Sequence, residues 1–143
     1  MLQRVTRASV TVEGQVRARS AGADGPRGRG SRRYAGHRRR ASPPRPATCA
    51  SSGTSAGLTN RSLIDTGGAV LAISQFTLYA DTRKAGRRSS TRRRRTSGKA
   101  LYERFAVAVE ARGVRVERGV FGVEMQVELV NDGPMTIQLD SAA

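Results

Sequence analysis

Two stretches of this sequence carry side chains and backbone of a kind that can do chemistry. Ser74-Gln75-Phe76-Thr77 sets two hydroxyls and an amide at the end of the apolar run Ala69 to Ile73. Polar groups at the terminus of a buried strand either hold a substrate or satisfy neighbouring backbone groups, and the residues alone leave both readings open. The second stretch is Asn131-Asp132-Gly133-Pro134-Met135-Thr136. Met125, Val127 and Leu129 alternate with polar residues before it, and Met135, Ile137 and Leu139 do so within and after it. Alternation of this kind predicts two half-buried strands. Between them the Gly133-Pro134 pair breaks the ladder, because Pro has no N–H to donate and Gly adopts angles that others avoid. An X-Pro bond is also the one peptide bond with ready access to cis. A lone pair of this kind is a plain turn; coupled to the first stretch it becomes a candidate binding element.

The rest of the residue inventory narrows the chemistry. His37 is the one histidine and Cys49 the one cysteine, and both lie in an arginine-rich segment, so neither offers a convincing general base or nucleophile. With one of each, a zinc site of the usual His/Cys kind cannot be assembled, and we expect no metal and no cofactor. No Gly-rich phosphate-binding motif follows a strand. Glu124 and Glu128 stand at strand spacing and read as solubility charges rather than an acid/base pair. An enzyme built from this inventory works through backbone groups, hydroxyls or chemistry carried by its substrate.

The elements that must position these stretches are unevenly distributed. At 143 residues the chain suits one domain. The net charge of +15, with aromatics at 4%, points to a nucleic-acid partner if the charge is evolved. No run is apolar enough for a membrane span or a signal peptide, so the expectation is a cytoplasmic protein. Gln3 to Glu13 predicts a strand with Ala8, Val10 and Val12 on one face and a turn at Gly14. From Gln15 to Gly57 the text changes to Arg, Gly, Ser, Ala and Pro, with Val16 and Tyr34 its main large apolar side chains. Such a segment buries too little apolar surface to offset chain entropy of about 1–2 kcal/mol per residue, which predicts irregular or disordered structure over 15–57. It reads foremost as the product of a GC-rich gene read out of frame, next as a basic RNA-binding arm, and last as an ordinary loop. The same texture returns at Ala85 to Lys99.

Order resumes at Leu58 to Asp65, with a turn at Thr66-Gly67-Gly68. Ala69 to Ile73 predicts a strand buried on both faces. Leu101 to Arg112 is the one clear helix, with Leu101, Phe105 and Val109 on its apolar stripe, Glu103, Arg104, Glu110 and Arg112 in solvent, and Gly113 as its stop.

Taken together, Ser74-Gln75-Phe76-Thr77-Leu78-Tyr79-Ala80-Asp81 and Asn131 to Thr136 resemble the two signature motifs of the D-aminoacyl-tRNA deacylases. Gln3 to Val10, Leu101-Tyr102-Glu103-Arg104-Phe105 and Gly119 to Val127 resemble the flanking strand, helix and strand of that family. The likeness covers Leu2 to Gly14, Leu58 to Lys84 and Leu101 to Ser141; the segments 15–57 and 85–99 depart from it. It implies a single α+β domain, residues 1–143, with a barrel-like antiparallel or mixed sheet and flanking helices. It further implies a cytoplasmic homodimer that frees D-amino acids, and glycine, wrongly esterified to tRNA. By the same resemblance the Gly133-Pro134 bond is cis and reaches into the partner subunit's site, holding the amino group and α-carbon through backbone carbonyls. Asn131 belongs to that substrate-binding turn and Arg4 braces it. Ser74, Gln75, Phe76 and Thr77 line the catalytic pocket, with the Gln75 and Phe76 N–H groups facing the oxyanion. The competing readings are a non-enzymatic basic RNA-binding protein, using Arg38 to Arg40 and Arg92 to Arg95, and a damaged, inactive family member.

Overall fold

The computed structural model describes residues 1–20, 32–34, 52–53, 59–75 and 92–137. In chain order they form β1 (Leu2–Val12), β2 (Gln15–Arg19), β3 (Arg32–Tyr34), β4 (Ser52–Gly53), β5 (Thr59–Arg61), β6 (Ala69–Ala72), α1 (Arg92–Glu110), β7 (Arg115–Arg118) and β8 (Gln126–Ile137). Strands β2, β1, β3, β6 and β7 lie in that order in one mixed sheet, β8 adds to β1, and β4 pairs with β5 separately. The described fold is α+β.

β1 is the hub. Along one edge it carries β8, from Leu2 opposite Ile137 to Thr11 opposite Gln126. Along the other, its first residues pair with β3 and its last with β2. Its buried residues are Leu2, Val5, Ala8, Val10 and Val12, so the inward face is spaced by three residues at first and by two later. The change of spacing follows from two irregularities of register against β8, between Gln3 and Val5 and between Val5 and Arg7. At the second, Val5 and Arg7 oppose the consecutive residues Asn131 and Val130, a bulge that resets which face each following side chain occupies.

Strand β6 is buried along its whole length, as its unbroken apolar run predicts. Leu71, with Ile73 just beyond the strand, enters one core cluster with Val5, Ala8, Val10, Val12 and Ala18, against which Met125, Val127 and Leu129 pack. Val70 and Ala72 face the opposite cluster, built from Leu63, Phe105, Val109 and Val114 with Tyr102 and Val116 alongside. β6 therefore carries both cores, and its parallel partners β3 and β7 flank it. The helix α1 crosses between β6 and β7 and puts Phe105 and Val109 into the second core. Glu103, Arg104, Glu110 and Arg112 are exposed, and Gly113 ends the helix at φ 76°, donating its N–H to the Glu110 carbonyl at 2.8 Å.

Three expectations require correction. The segment 15–57 is not wholly irregular, for β2, β3 and β4 lie in it. β2 folds back on β1 through a turn in which Glu13 and Gly14 have φ of 51° and 75°. Ladder hydrogen bonds join backbone to backbone and need few apolar side chains, and here Ala18 alone inserts into the core. Buried Ser20 then closes the hairpin: its hydroxyl accepts the Ala8 N–H at 2.7 Å and its N–H meets the Ala8 carbonyl at 2.7 Å. Second, α1 starts at Arg92 rather than Leu101, inside the atypical 85–99 stretch. Arg is a strong helix former, and an apolar stripe is needed only where the helix meets the core. Third, β8 is one strand through the Gly-Pro pair, not two strands joined by a turn. The remainder of 15–57, residues 85–91 and Leu139 lie outside the described residues.

Candidate active site

The Gly-Pro element owes its shape to β1. Gln3 opposes Thr136 and Val5 opposes Asn131, so Arg4 alone faces the four residues Asp132 to Met135. The excess chain must arch out of the ladder. Pro134 falls within the arch, where its missing N–H costs no sheet hydrogen bond. Arg4 closes the arch at its base: its Nε donates to the Asp132 carbonyl oxygen at 2.9 Å and lies 2.8 Å from Asp132 Oδ2. Nε carries one proton, so the two acceptors share it. The Asp132 side chain is 48% exposed and the Arg4 side chain 22%, so the carboxylate contact is weakened by water, whereas the hydrogen bond to the carbonyl ties the chain itself.

Gly133 is required by contact rather than by φ. A Cβ there would stand 2.3 Å from Asn131 Nδ2, 2.8 Å from the Met135 backbone N and 3.1 Å from Asn131 Cγ. The Asn131 amide thus lies across the glycine, on the face a side chain would take. Asn131, Asp132 and Gly133 are all exposed, so the arch projects from the sheet into solvent.

The second stretch begins where β6 ends. Ser74 and Gln75 are half-buried just past the last ladder pairs, Ala72 with Tyr34 and Ala72 with Arg118. The Ala72 carbonyl accepts the Gly119 N–H at 2.9 Å and a hydrogen bond from the Tyr102 hydroxyl at 3.0 Å. Burial pushes the Tyr102 hydroxyl up to about 12, with Glu103 adding to the shift and Arg118 opposing it. The carboxyl ends of parallel strands are where open mixed sheets place ligands, and Ser74 and Gln75 occupy that position on β6. Phe76 and Thr77 lie outside the described residues. The structure thus brings Arg4, Asn131, Gly133 and the Pro134 backbone together at the arch, and sets Ser74 and Gln75 at the end of β6. The two places share a root, since Val5, beside Arg4, and Ile73, before Ser74, sit in one core cluster. Tyr102 was not singled out by its sequence position. The available signal was a polar-tipped aromatic beside an apolar helix stripe, which usually finds a hydrogen-bond partner when buried. Among the described residues no group of three or more His, Cys, Asp or Glu side chains is placed to hold a metal ion.

The sequence model of the D-Tyr-tRNA(Tyr) deacylase family matches residues 49–140. The chain belongs to that family. The matched range, 49–140, takes in 49–57 and 85–99. Among curated relatives, the D-aminoacyl-tRNA deacylase of Koribacter versatilis is 57% identical over 83 residues, 57% of this chain and 56% of that protein. The D-aminoacyl-tRNA deacylase of Thermus aquaticus is 54% identical over 88 residues, 60% of this chain and 57% of that protein. The chain therefore spans about half the length of the curated relatives it matches. A solved structure, that of the c-Myc DNA Unwinding Element Binding Protein, superposes with a TM-score of 0.76 at 26% identity and covers 99% of this chain and 97% of its own. The fold of the deacylase-family chain thus extends beyond the stretch of high sequence identity.

Proposed function

We propose that this chain hydrolyses the ester of D-aminoacyl-tRNA, releasing the free D-amino acid and tRNA as chiral proofreading in translation. One observation carries the reading: the Gly133-Pro134 arch, held by Arg4 at the point where four residues of β8 face one of β1. A backbone arch that carries no side chain at Gly133 can offer carbonyl oxygens to an ammonium group and α-carbon. It rejects the L configuration because the chain itself fills the space an L side chain would need. Glycine has no side chain to reject, so glycyl-tRNA is accepted too.

In the proposed reaction Ser74, Gln75, Phe76 and Thr77 surround the ester and the terminal adenosine. A water oxygen bonds to the ester carbonyl carbon and the carbon–oxygen bond to the ribose breaks. The proton from the water passes to the departing ribose oxygen by way of the neighbouring 2′-hydroxyl, so no histidine or carboxylate is needed. The N–H groups of Gln75 and Phe76 hold the transient oxyanion, and losing one such donor costs about 2.7–4 kcal/mol of transition-state stabilisation. An exposed arch suits insertion into a second subunit's pocket. The working form is accordingly a cytoplasmic homodimer, with the sheet closed into a barrel-like wall.

Incubation of the chain with D-Tyr-tRNA and L-Tyr-tRNA tests this. The expected result is release of D-Tyr well above the uncatalysed rate while the L-ester survives. Binding of any RNA in a salt-sensitive way, with neither ester turned over, would instead favour a basic RNA-binding protein, the reading that the net charge of +15 supports.

A further inference from the structure

Where the chain leaves β6 toward Ser74 and Gln75, a side chain of α1 meets the strand's last carbonyl. β6 ends at Ala72, and among the described residues the backbone donor to its last carbonyl is the Gly119 N–H, at 2.9 Å. The Tyr102 hydroxyl lies 3.0 Å from that carbonyl oxygen and 3.1 Å from the carbonyl oxygen of Gly119. Its one proton serves the two acceptors in turn, so the hydroxyl bridges the end of β6 to the chain leaving β7. Packing keeps the ring in place. It sits against the core cluster of Leu63, Val70, Ala72 and Phe105, and its centroid is 6.0 Å from that of Phe121 at an interplanar angle of 42°.

We propose that Tyr102 is a positioning residue for the reaction proposed above: its hydroxyl fixes the C-terminal end of β6 and, through it, the backbone of Ser74 and Gln75. It touches no reacting atom. Its effect reaches the chemistry because only one residue, Ile73, separates the clamped Ala72 from Ser74, and a misplacement of about 1 Å at a reacting centre costs on the order of 10²-fold in rate. A tyrosine hydroxyl is protonated, and hence a donor, throughout the neutral range, and burial pushes its titration further up.

The inference rests on the deacylase reading, and its test keeps the two apart. Tyr102→Phe removes the hydroxyl and leaves the ring. In this variant the Gly119 amide, which donates to Ala72, is expected to exchange with solvent about tenfold faster, while the Ala106 to Val109 amides of α1 keep their protection. With D-Tyr-tRNA as substrate, kcat is expected to fall about tenfold with KM within about twofold, because orientation rather than binding is lost. Val10→Ala is the control: it opens a cavity in the first core cluster but leaves the hydroxyl and the packing of its ring intact, and should leave both readings near those of the parent. Unchanged exchange at Gly119 in Tyr102→Phe overturns the proposal. So does an unchanged kcat beside faster exchange, or an equal loss in Val10→Ala. A parent chain without turnover refutes the deacylase reading alone, and the exchange comparison then decides whether the clamp exists.

Discussion

Replacing Gly133 with Ala tests the arch at its tightest point. The added Cβ meets two kinds of neighbour. Asn131 Nδ2, at 2.3 Å, is the end of a flexible side chain and can swing aside. The Met135 backbone N, at 2.8 Å, cannot move without its strand, and it falls roughly 0.6 Å short of the ordinary contact that begins at 3.4 Å. The arch must therefore open by about that amount, and overpacking strain of this kind costs about 1–3 kcal/mol. At this chain length each 1 kcal/mol lowers the melting midpoint by roughly 3–4 °C, so the expected drop is on the order of 3–12 °C. Deacylation of D-Tyr-tRNA should suffer more than stability does, by about 10- to 100-fold, because a shift of over half an ångström falls on the carbonyls proposed to select the substrate. Asn131→Ala combined with Gly133→Ala relieves the first clash and leaves the second, so the double variant should recover only part of the loss. Thermal denaturation and single-turnover hydrolysis measure the two effects separately. A Gly133→Ala variant with unchanged midpoint and unchanged rate would refute the claim that contact, rather than chance, keeps this position glycine.

Three further expectations follow from the same geometry. Arg4→Ala should cost about 1–2 kcal/mol through the lost hydrogen bond to the Asp132 carbonyl, whereas Asp132→Ala should cost less than about 0.5 kcal/mol because its carboxylate is half exposed; urea titrations of the two variants separate these. Leu71→Ala, at a site with no solvent exposure in the first core, should destabilise by about 2–5 kcal/mol without altering the D-over-L preference, read from denaturation and rate ratios together. The Tyr102 hydroxyl, pushed from 10.0 to about 12, favours the protonated folded chain; its stabilising contribution is complete below pH 10 and drains away as pH rises toward 12. Discounted for a half-buried ring, this amounts to roughly 1 kcal/mol, so between pH 10 and 12 the parent should lose stability faster than Tyr102→Phe. Parallel alkaline slopes would contradict the assignment.

The sequence was most legible where side-chain pattern alone decides structure. The run Ala69 to Ile73 predicts a strand covered on both sides, and its residues do divide between two cores. Phe105, Val109 and Gly113 place the buried face and the end of α1. Where backbone pairing decides, pattern fails. β2 pairs with β1 although its side chains are mostly Arg and Gln, because a ladder is indifferent to them. Gly133-Pro134 reads locally as the end of a strand, yet β8 continues, because β1 offers Arg4 to hold the excess and resumes pairing at Thr136. The site divides in the same way. Arg4, Asn131 and Gly133 are recognisable by motif and lie together, while the hydrogen bond of Tyr102 to Ala72 joins residues 30 apart, and the chain signals a polar-tipped aromatic there without naming its partner.

The central claim is that a backbone arch sorts substrates by chirality, and the ratio of hydrolysis rates for D-Tyr-tRNA and L-Tyr-tRNA measures it directly. Determined side by side for the parent chain and for Pro134→Ala, that ratio should be large for the parent and should collapse with D-ester turnover in the variant. A ratio that survives unchanged when Pro134 is replaced would contradict the account.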